Sequence, residues 1–369
     1  MKKNTSRPAY RQVGLYNPYL DTLGGGEKHI LSIIKIFEEE GMDINIFWDQ
    51  NLLKKINDRL KLNLKRISFK KNVFHNKDLL GKISALRKLD YFFYVPDGSY
   101  FFSPAKHNYI FSMVPKENLY PVSFINKIKT LNYKIITNSI FTHKKLARWK
   151  IKSEVIYPYI DKELLEVKID YQKKEKIILS VGRFFSYLHS KRQDLMIKTF
   201  KKLKQINPLF KDFRLILVGG LKPEDKIYFD NLRQTIGSDS SIVLKPNIDS
   251  DELYQLYQKA IFYWHFAGYG INDNKSPELV EHLGISPLEA MASGCLTFCY
   301  RAGGPKELIK HKDNGFLFTK EKDLIKDMVF CLKNQKNAQR VANNGRVYVA
   351  KKFNYQSFKN KVKKVFHLI

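Results

Sequence analysis

Short apolar runs ending in turn residues alternate along this chain with longer segments of helical period, the pattern of parallel sheets covered by helices. In the first half, residues 11–17 (RQVGLYN) read as a strand, 26–41 (GEKHILSIIKIFEEEG) as a helix ending at Gly41, and 43–48 (DINIFW) as the next strand. Strand-length runs follow at 90–95, 106–114 and 133–139, then a helix at 139–150 and a final strand and exit at 154–161 (EVIYPYID). The chain turns polar and lysine-rich near 166–176 (EVKIDYQKKEK), and the alternation then restarts. Strands are predicted at 177–182, 213–220, 241–246, 261–266 and 295–300, with helices at 250–260, capped by Ser250, and after Pro287. The last stretch carries Val349, Phe353, Phe358, Val362, Val365 and Phe366 at amphipathic spacing, which predicts a basic helix packed along one stripe.

The pattern divides 369 residues into two α/β domains, 1–165 and 166–348, followed by a C-terminal helix at 349–369 able to pack back on the first domain. No repeat of fixed period is visible, so the halves are different domains and not solenoid units.

Composition changes this picture in one respect. A globular balance of 44% hydrophobic and 14% aromatic residues carries a formal net charge of +29, with both halves basic. Such charge points to polyanions: nucleic acid, anionic headgroups or phosphorylated small molecules. Cys295, Cys299 and Cys331 are too few and too irregular for a disulfide framework or a cysteine-rich zinc site, and they suit a reducing compartment. The N-terminus lacks a signal-type apolar region, and no run of 18 apolar residues occurs, so the expectation is a cytoplasmic protein, at most peripheral to a membrane.

Candidate chemistry concentrates in residues 276–295 (SPELVEHLGISPLEAMASGC). Two glutamates, Glu281 and Glu289, flank a turn with Gly284, Ile285 and Ser286 that opens a helix. Ser286 as N-cap, Pro287 at the first position and Glu289 three residues on fit a capping box, which would make Glu289 structural. Context supplies a second reading. A strand delivers the chain to a loop holding Gly268, Gly270 and Gly284, and the helix start offers free N–H groups to a phosphate while the carboxylates accept sugar hydroxyls.

Residues 264–270 (WHFAGYG), 281–295 (EHLGISPLEAMASGC) and 302–309 (AGGPKELI) resemble the C-terminal signature of retaining GT-B glycosyltransferases of the family 4 type, most closely the mannosyltransferases that extend lipid-linked oligosaccharides. The resemblance implies two Rossmann-like domains across a cleft, the second binding a GDP- or UDP-linked sugar and the first an acceptor, either a glycan or a lipid-linked one. It puts Glu281 on the donor sugar and Glu289 on the ribose. Arg183 and Lys191, in 180–200 (SVGRFFSYLHSKRQDLMIKTF), would stabilise the departing diphosphate. Arg183 directly follows a strand's carboxyl end, where open α/β sheets bind ligands. Gly24, Gly25 and Gly26 form the glycine turn that the family sets near the donor phosphates; without a following Gly-Lys-Ser/Thr they are not a Walker loop. Segments 137–142, 155–161 and 311–318, with Gly315 in a turn, match family landmarks of structural character.

One departure concerns the first domain. Many family members carry a histidine beside the donor sugar in a His-x-x-x-Pro stretch, and the matching position here is Phe111. His107 lies four residues upstream, and His265 and His282 lie inside the signature, where packing explains each as well as sugar contact does. No enzymic nucleophile is assigned, and no metal is required, because Arg and Lys supply the positive charge. Rival readings are a GT-B partner protein that binds sugar nucleotides without turnover, for which Phe111 speaks, and a nucleic-acid-binding protein, against which stands the lack of any recognised module. No nucleic-acid partner is expected. Nothing resembles the pyridoxal phosphate lysine site of a GT-B phosphorylase.

Overall fold

A computed structural model describes residues 11–75, 78–187 and 190–368. They form two units, one of residues up to 138, 142–158 and from 358, the other of 139–141 and 159–357. The chain thus changes unit at Pro158, ahead of the polar stretch near 166–176, and the terminal segment joins the first unit only from Phe358 onward. Among the described residues, no helix is long and apolar enough to cross a membrane.

The first unit holds seven strands: β1 (Gln12–Tyr16), β2 (Asp43–Phe47), β3 (Ile67–Lys70), β4 (Tyr91–Tyr94), β5 (His107–Ser112), β6 (Tyr133–Thr137) and β7 (Glu154–Val155). They are parallel, in the order β3-β2-β1-β4-β5-β6-β7. The second unit holds β8 (Glu175–Val181), β9 (Arg214–Gly219), β10 (Ile242–Pro246), β11 (Ala260–His265), β12 (Leu296–Tyr300) and β13 (Phe316–Phe318), all parallel, in the order β10-β9-β8-β11-β12-β13. Helices cover both faces of such sheets, so the central strands are buried on two sides and read as continuous apolar runs. The wholly buried FYWH of β11, residues 262–265, is one instance.

Each sheet starts in the middle and winds outward twice, which leaves a switch point between β1 and β4 in one unit and between β8 and β11 in the other. At such a point the loops leaving neighbouring strands diverge to opposite faces, and the strands' carboxyl ends frame a crevice.

Three local expectations are corrected. Of the strand and exit expected over 154–161, the strand pairs only at Glu154 and Val155, and Pro158, which has no N–H for a ladder, lies in the exit. The helix at 250–260 begins behind Asp249, whose carboxylate accepts from Glu252 N at 2.8 Å, so Ser250 is its first residue and not its cap. The terminal amphipathic stretch is two helices, Gln335–Lys352 and Tyr355–Phe366, parted at Phe353 and Asn354. Asn354 Oδ1 accepts from Ser357 N at 2.8 Å and so starts the second helix. Phe366 packs on Phe37, Phe93 and Tyr109 in the first unit's core.

Candidate functional site

The charged chemistry of the second unit gathers at its switch point. β8 ends at Val181, and the chain must then pass Gly182 and Arg183 before the helix Gln193–Ile206. Gly182 is required by close approach: a Cβ there would stand 2.4 Å from Lys191 Cγ. The lysine stem therefore lies across the strand end, and its Nζ reaches Glu281 Oε2 at 2.5 Å. Both side chains are largely enclosed, 13% and 15% exposed.

The same carboxylate oxygen faces His265 Nε2 at 2.9 Å, at the end of β11. Burial lowers the His265 pKa against the opposing pull of Glu281, so the ring is neutral near pH 7. A carboxylate can only accept, so Nε2 carries the hydrogen and donates it. That leaves Nδ1 as an enclosed acceptor without a hydrogen-bond partner among the described residues. The Glu281 backbone is fixed as well. Its carbonyl accepts from Gly304 N at 2.7 Å, and a Cβ at 304 would lie 2.4 Å from Leu283 Cα. Asp273 secures this turn from the far side, accepting from Gly303 N at 2.8 Å and from Lys306 Nζ at 2.5 Å.

Arg183 offers a second cation. Its Nη2 lies 3.6 Å from Asp225 Oδ2, and its guanidinium carbon sits 4.3 Å from the Phe185 ring centroid. Asp225 is almost wholly enclosed, whereas the Arg183 side chain as a whole is about one-third exposed, so the ion pair anchors an arginine that is not fully buried. The neighbouring Arg192 is committed locally, with Nε and Nη2 each 3.1 Å from Asp194.

Gly284, Ile285, Ser286 and Glu289 lie on the segment that leads away from Glu281. The helix runs Ile285–Ala292, and Gly284 at φ +104° is its N-cap, so Ser286 is not the cap and no capping box forms. Ser286 Oγ is used elsewhere: it donates to Val181 O at 3.1 Å and accepts from Tyr263 at 2.8 Å, tying the helix start to the end of β8. Glu289 Oε2 accepts from Tyr257 at 2.8 Å. Burial first, and then the Glu289 charge, push the Tyr257 hydroxyl well above its ordinary range, so it keeps its proton and donates. The structural reason for Glu289 is thus a tyrosine and not a cap.

Gly24, Gly25 and Gly26 belong to the first unit, beside the switch point between β1 and β4. Gly24 caps the helix Gly25–Glu39, and its N–H donates to Glu27 Oε2 at 2.9 Å. Gly26 lies beneath Met113, where a Cβ would come 2.5 Å from Sδ. Two of the three glycines therefore already serve their own chain. Phe111 is fully buried and meets His29 edge-on at 4.9 Å, so this position faces the core. His29 is itself enclosed, and burial pushes it down to about 3, which keeps it neutral. His282 is likewise buried and pushed down to about 4. His107 is exposed, stacked on Tyr91. Gly315 sits against Ile309 at the start of β13.

Sequence reasoning brought Glu281, Lys191, Gly284, Ser286 and Glu289 to this region, and the structure joins Lys191 to Glu281 directly. It missed Asp225 and Asp273, which carry no local signature, and it left His265 open between packing and ligand contact. The available signal for His265 was its place at a strand end in the switch-point crevice.

The family model described as glycosyl transferases group 1 matches residues 161–348. The chain is 27% identical over 214 residues to the GDP-Man:Man(3)GlcNAc(2)-PP-Dol alpha-1,2-mannosyltransferase of Mus musculus, 54% of this chain and 41% of that protein. It therefore spans about two-fifths of that relative's length. Anabaena Alr3699/HepE, solved in complex with UDP and glucose, superposes with a TM-score of 0.71 at 17% identity, over 98% of this chain and 100% of that one. A glycosyltransferase from Rickettsia africae gives 0.73 at 16% identity, over 97% and 99%. At such identities the likeness establishes the fold, which is GT-B.

Proposed function

The chain belongs to the group 1 glycosyl transferases, and from that premise we propose that it moves a hexose of mannose or glucose type from a nucleotide-sugar to a glycan or lipid-linked acceptor, with retention at the anomeric carbon. The observation that carries this reading is the Lys191–Glu281–His265 cluster at the second unit's switch point, a cation and an oriented carboxylate held together where open sheets bind ligands.

Breaking the bond from C1 to the phosphate oxygen leaves negative charge on the diphosphate, and in this reading Arg183 and Lys191 take it up. The helix start at Gly284–Ser286 adds N–H donors. Glu281, held by neutral His265, accepts hydrogen bonds from the sugar hydroxyls. Glu289, oriented by Tyr257, accepts from the ribose. The acceptor oxygen attacks C1 on the face the diphosphate leaves, and its proton passes to a phosphate oxygen. In this reading the positive charge comes from Arg183 and Lys191, and no metal is required. The mouse relative named for GDP-Man and the Anabaena protein bound to UDP support a nucleotide-linked donor of either base. We place the protein in the cytoplasm, peripheral to the membrane that holds a lipid-linked acceptor.

The test of the reaction is the anomeric configuration of the product, read by proton NMR with GDP-mannose or UDP-glucose and a simple glycoside acceptor. The α-linked donors should give α-linked products; β-linked product would overturn the retaining mechanism. Phe111, the residue that speaks for a partner without turnover, fills core space against His29, and such a protein would bind donor and release no product.

A further inference from the structure

The helix Phe124–Lys129 is inverted. Ser123 caps its start, accepting from Asn126 N at 3.3 Å, and Thr130 Oγ1 donates back to Asn126 O at 2.8 Å. None of its six residues is buried. At about 100° per residue, Phe124, Ile125 and Ile128 share one face. They are 78%, 65% and 51% exposed, and Leu131, in the turn that follows, is 80% exposed. The side turned inward is polar: Thr130 is buried and Asn126 half-buried. Asn132 then ties the segment to Ser103 through its carbonyl at 2.8 Å, next to Phe102, itself 58% exposed.

An amphipathic helix that shows water its apolar face has been built for another apolar medium. Charge identifies that medium. Lys127 and Lys129 lie on either side of the apolar face, Lys134 follows, and all three are exposed in a chain of net charge +29. Lysines at the rim of an apolar wedge sit at the level of anionic headgroups while their stems lie along the apolar boundary. Four side chains offer less surface than the roughly 800 Å² per partner of a stable protein interface, whereas an interfacial helix needs only a shallow apolar face with cations beside it.

We propose that Phe124, Ile125, Ile128 and Leu131, flanked by Lys127, Lys129 and Lys134, form the surface by which the first unit docks on an anionic lipid bilayer. This deepens the function proposed above by naming where a lipid-linked acceptor is met, and it rests on that function for the acceptor alone.

The test is flotation of the full chain with phosphatidylcholine vesicles, with and without phosphatidylglycerol. The variants are the pair Phe124→Ser and Ile128→Ser and the pair Lys127→Gln and Lys129→Gln. Wild type should float with the anionic vesicles at low salt and much less with phosphatidylcholine alone. The serine pair should lose flotation, and the glutamine pair should bind about thirtyfold more weakly, at roughly 1 kcal/mol for each lysine near an anionic surface. Because the replaced side chains are exposed, circular dichroism and melting should match wild type. Wild type that stays with the soluble fraction, or a serine pair that floats equally well, overturns the proposal. So does wild type that self-associates in sedimentation while the serine pair is monomeric and floats, since the face would then join two copies. Donor-induced stabilisation in the same variants separates the two claims: floating protein that no nucleotide-sugar stabilises would sink the transferase reading and leave this surface standing.

Discussion

The two switch points share a topology and differ in chemistry. Between β8 and β11 the crevice is ionic: Lys191 on Glu281, His265 behind it, Arg183 anchored by Asp225. Between β1 and β4 the charge is acidic: Asp97, just past β4, accepts from Tyr94 at 2.6 Å and Glu27 folds back onto Gly24 N, while Met113 covers Gly26 and a neutral His29 meets Phe111. The same backbone frame can therefore carry a lysine–carboxylate pair at one switch point and carboxylates beside an enclosed, neutral histidine at the other.

The largest expected break in this contrast comes from the ionic side. Lys191→Ala should lower transfer about 10²–10³-fold, the range for removal of one preorganised transition-state donor, and should lower the melting temperature as well, because Glu281 is left enclosed without its cation. Steady-state rates against a single donor check it. The glycines give the next contrast. A Cβ at Gly304 meets the Leu283 backbone at 2.4 Å, whereas one at Gly26 meets the flexible end of Met113 at 2.5 Å. Gly304→Ala should therefore cost about 1–3 kcal/mol of stability, as overpacking of a rigid neighbour does. Gly26→Ala should cost well under that, since methionine re-packs readily. Urea unfolding of the two variants separates them.

Acid tests how far the first unit depends on a neutral histidine. His29 is pushed down to about 3 by burial, below its ordinary value near 6.5. A depressed folded pKa means that the unfolded chain binds the proton first. The stability contribution is thus complete above about pH 6.5 and is lost as pH falls toward about 3. Melting temperature measured across that window should fall less steeply in His29→Leu than in wild type. The smallest effect belongs to the pairs that clip the terminal helix to the helix Gly25–Glu39, Lys359 with Glu39 and Lys363 with Glu40, each at 2.7 Å. Lys359→Ala should cost less than about 1 kcal/mol, because the pair is partly solvated and screened.

Much of the frame was legible in the sequence because parallel strands buried on both faces leave unbroken apolar runs. β4, β8, β9, β11 and β12 all carry them. Two outer strands were not legible. β3 alternates between half-buried and exposed positions, and β13 is only three residues long. The lysine-rich stretch near 170 was read as a linker, yet Lys174 Nζ lies within hydrogen-bond reach of the carbonyls of Gln258, Ala260 and Ser293 at 2.9–3.1 Å. Lysine's type said solvent; its position at the foot of β8 made it a strut. Within the site, Arg183 was legible from its place after a strand. The joining of His265 to Glu281 was not, because it depends on the path of the chain between two residues 16 positions apart. Ser286 misled because serine before proline suits a cap, whereas its hydroxyl is claimed by Val181 and Tyr263.

The measurement that bears most directly on the ionic switch point is a thermal shift with GDP-mannose, UDP-glucose and UDP-N-acetylglucosamine, on wild type and Glu289→Ala. A ligand raises apparent stability only by binding the folded state. One donor should stabilise wild type, and Glu289→Ala should weaken its binding about tenfold or more, in keeping with the roughly 1.5–3 kcal/mol of a hydrogen bond to a charged group. If no nucleotide-sugar shifts the wild type, or if the shift is the same in the variant, the assignment of this crevice to the donor is contradicted.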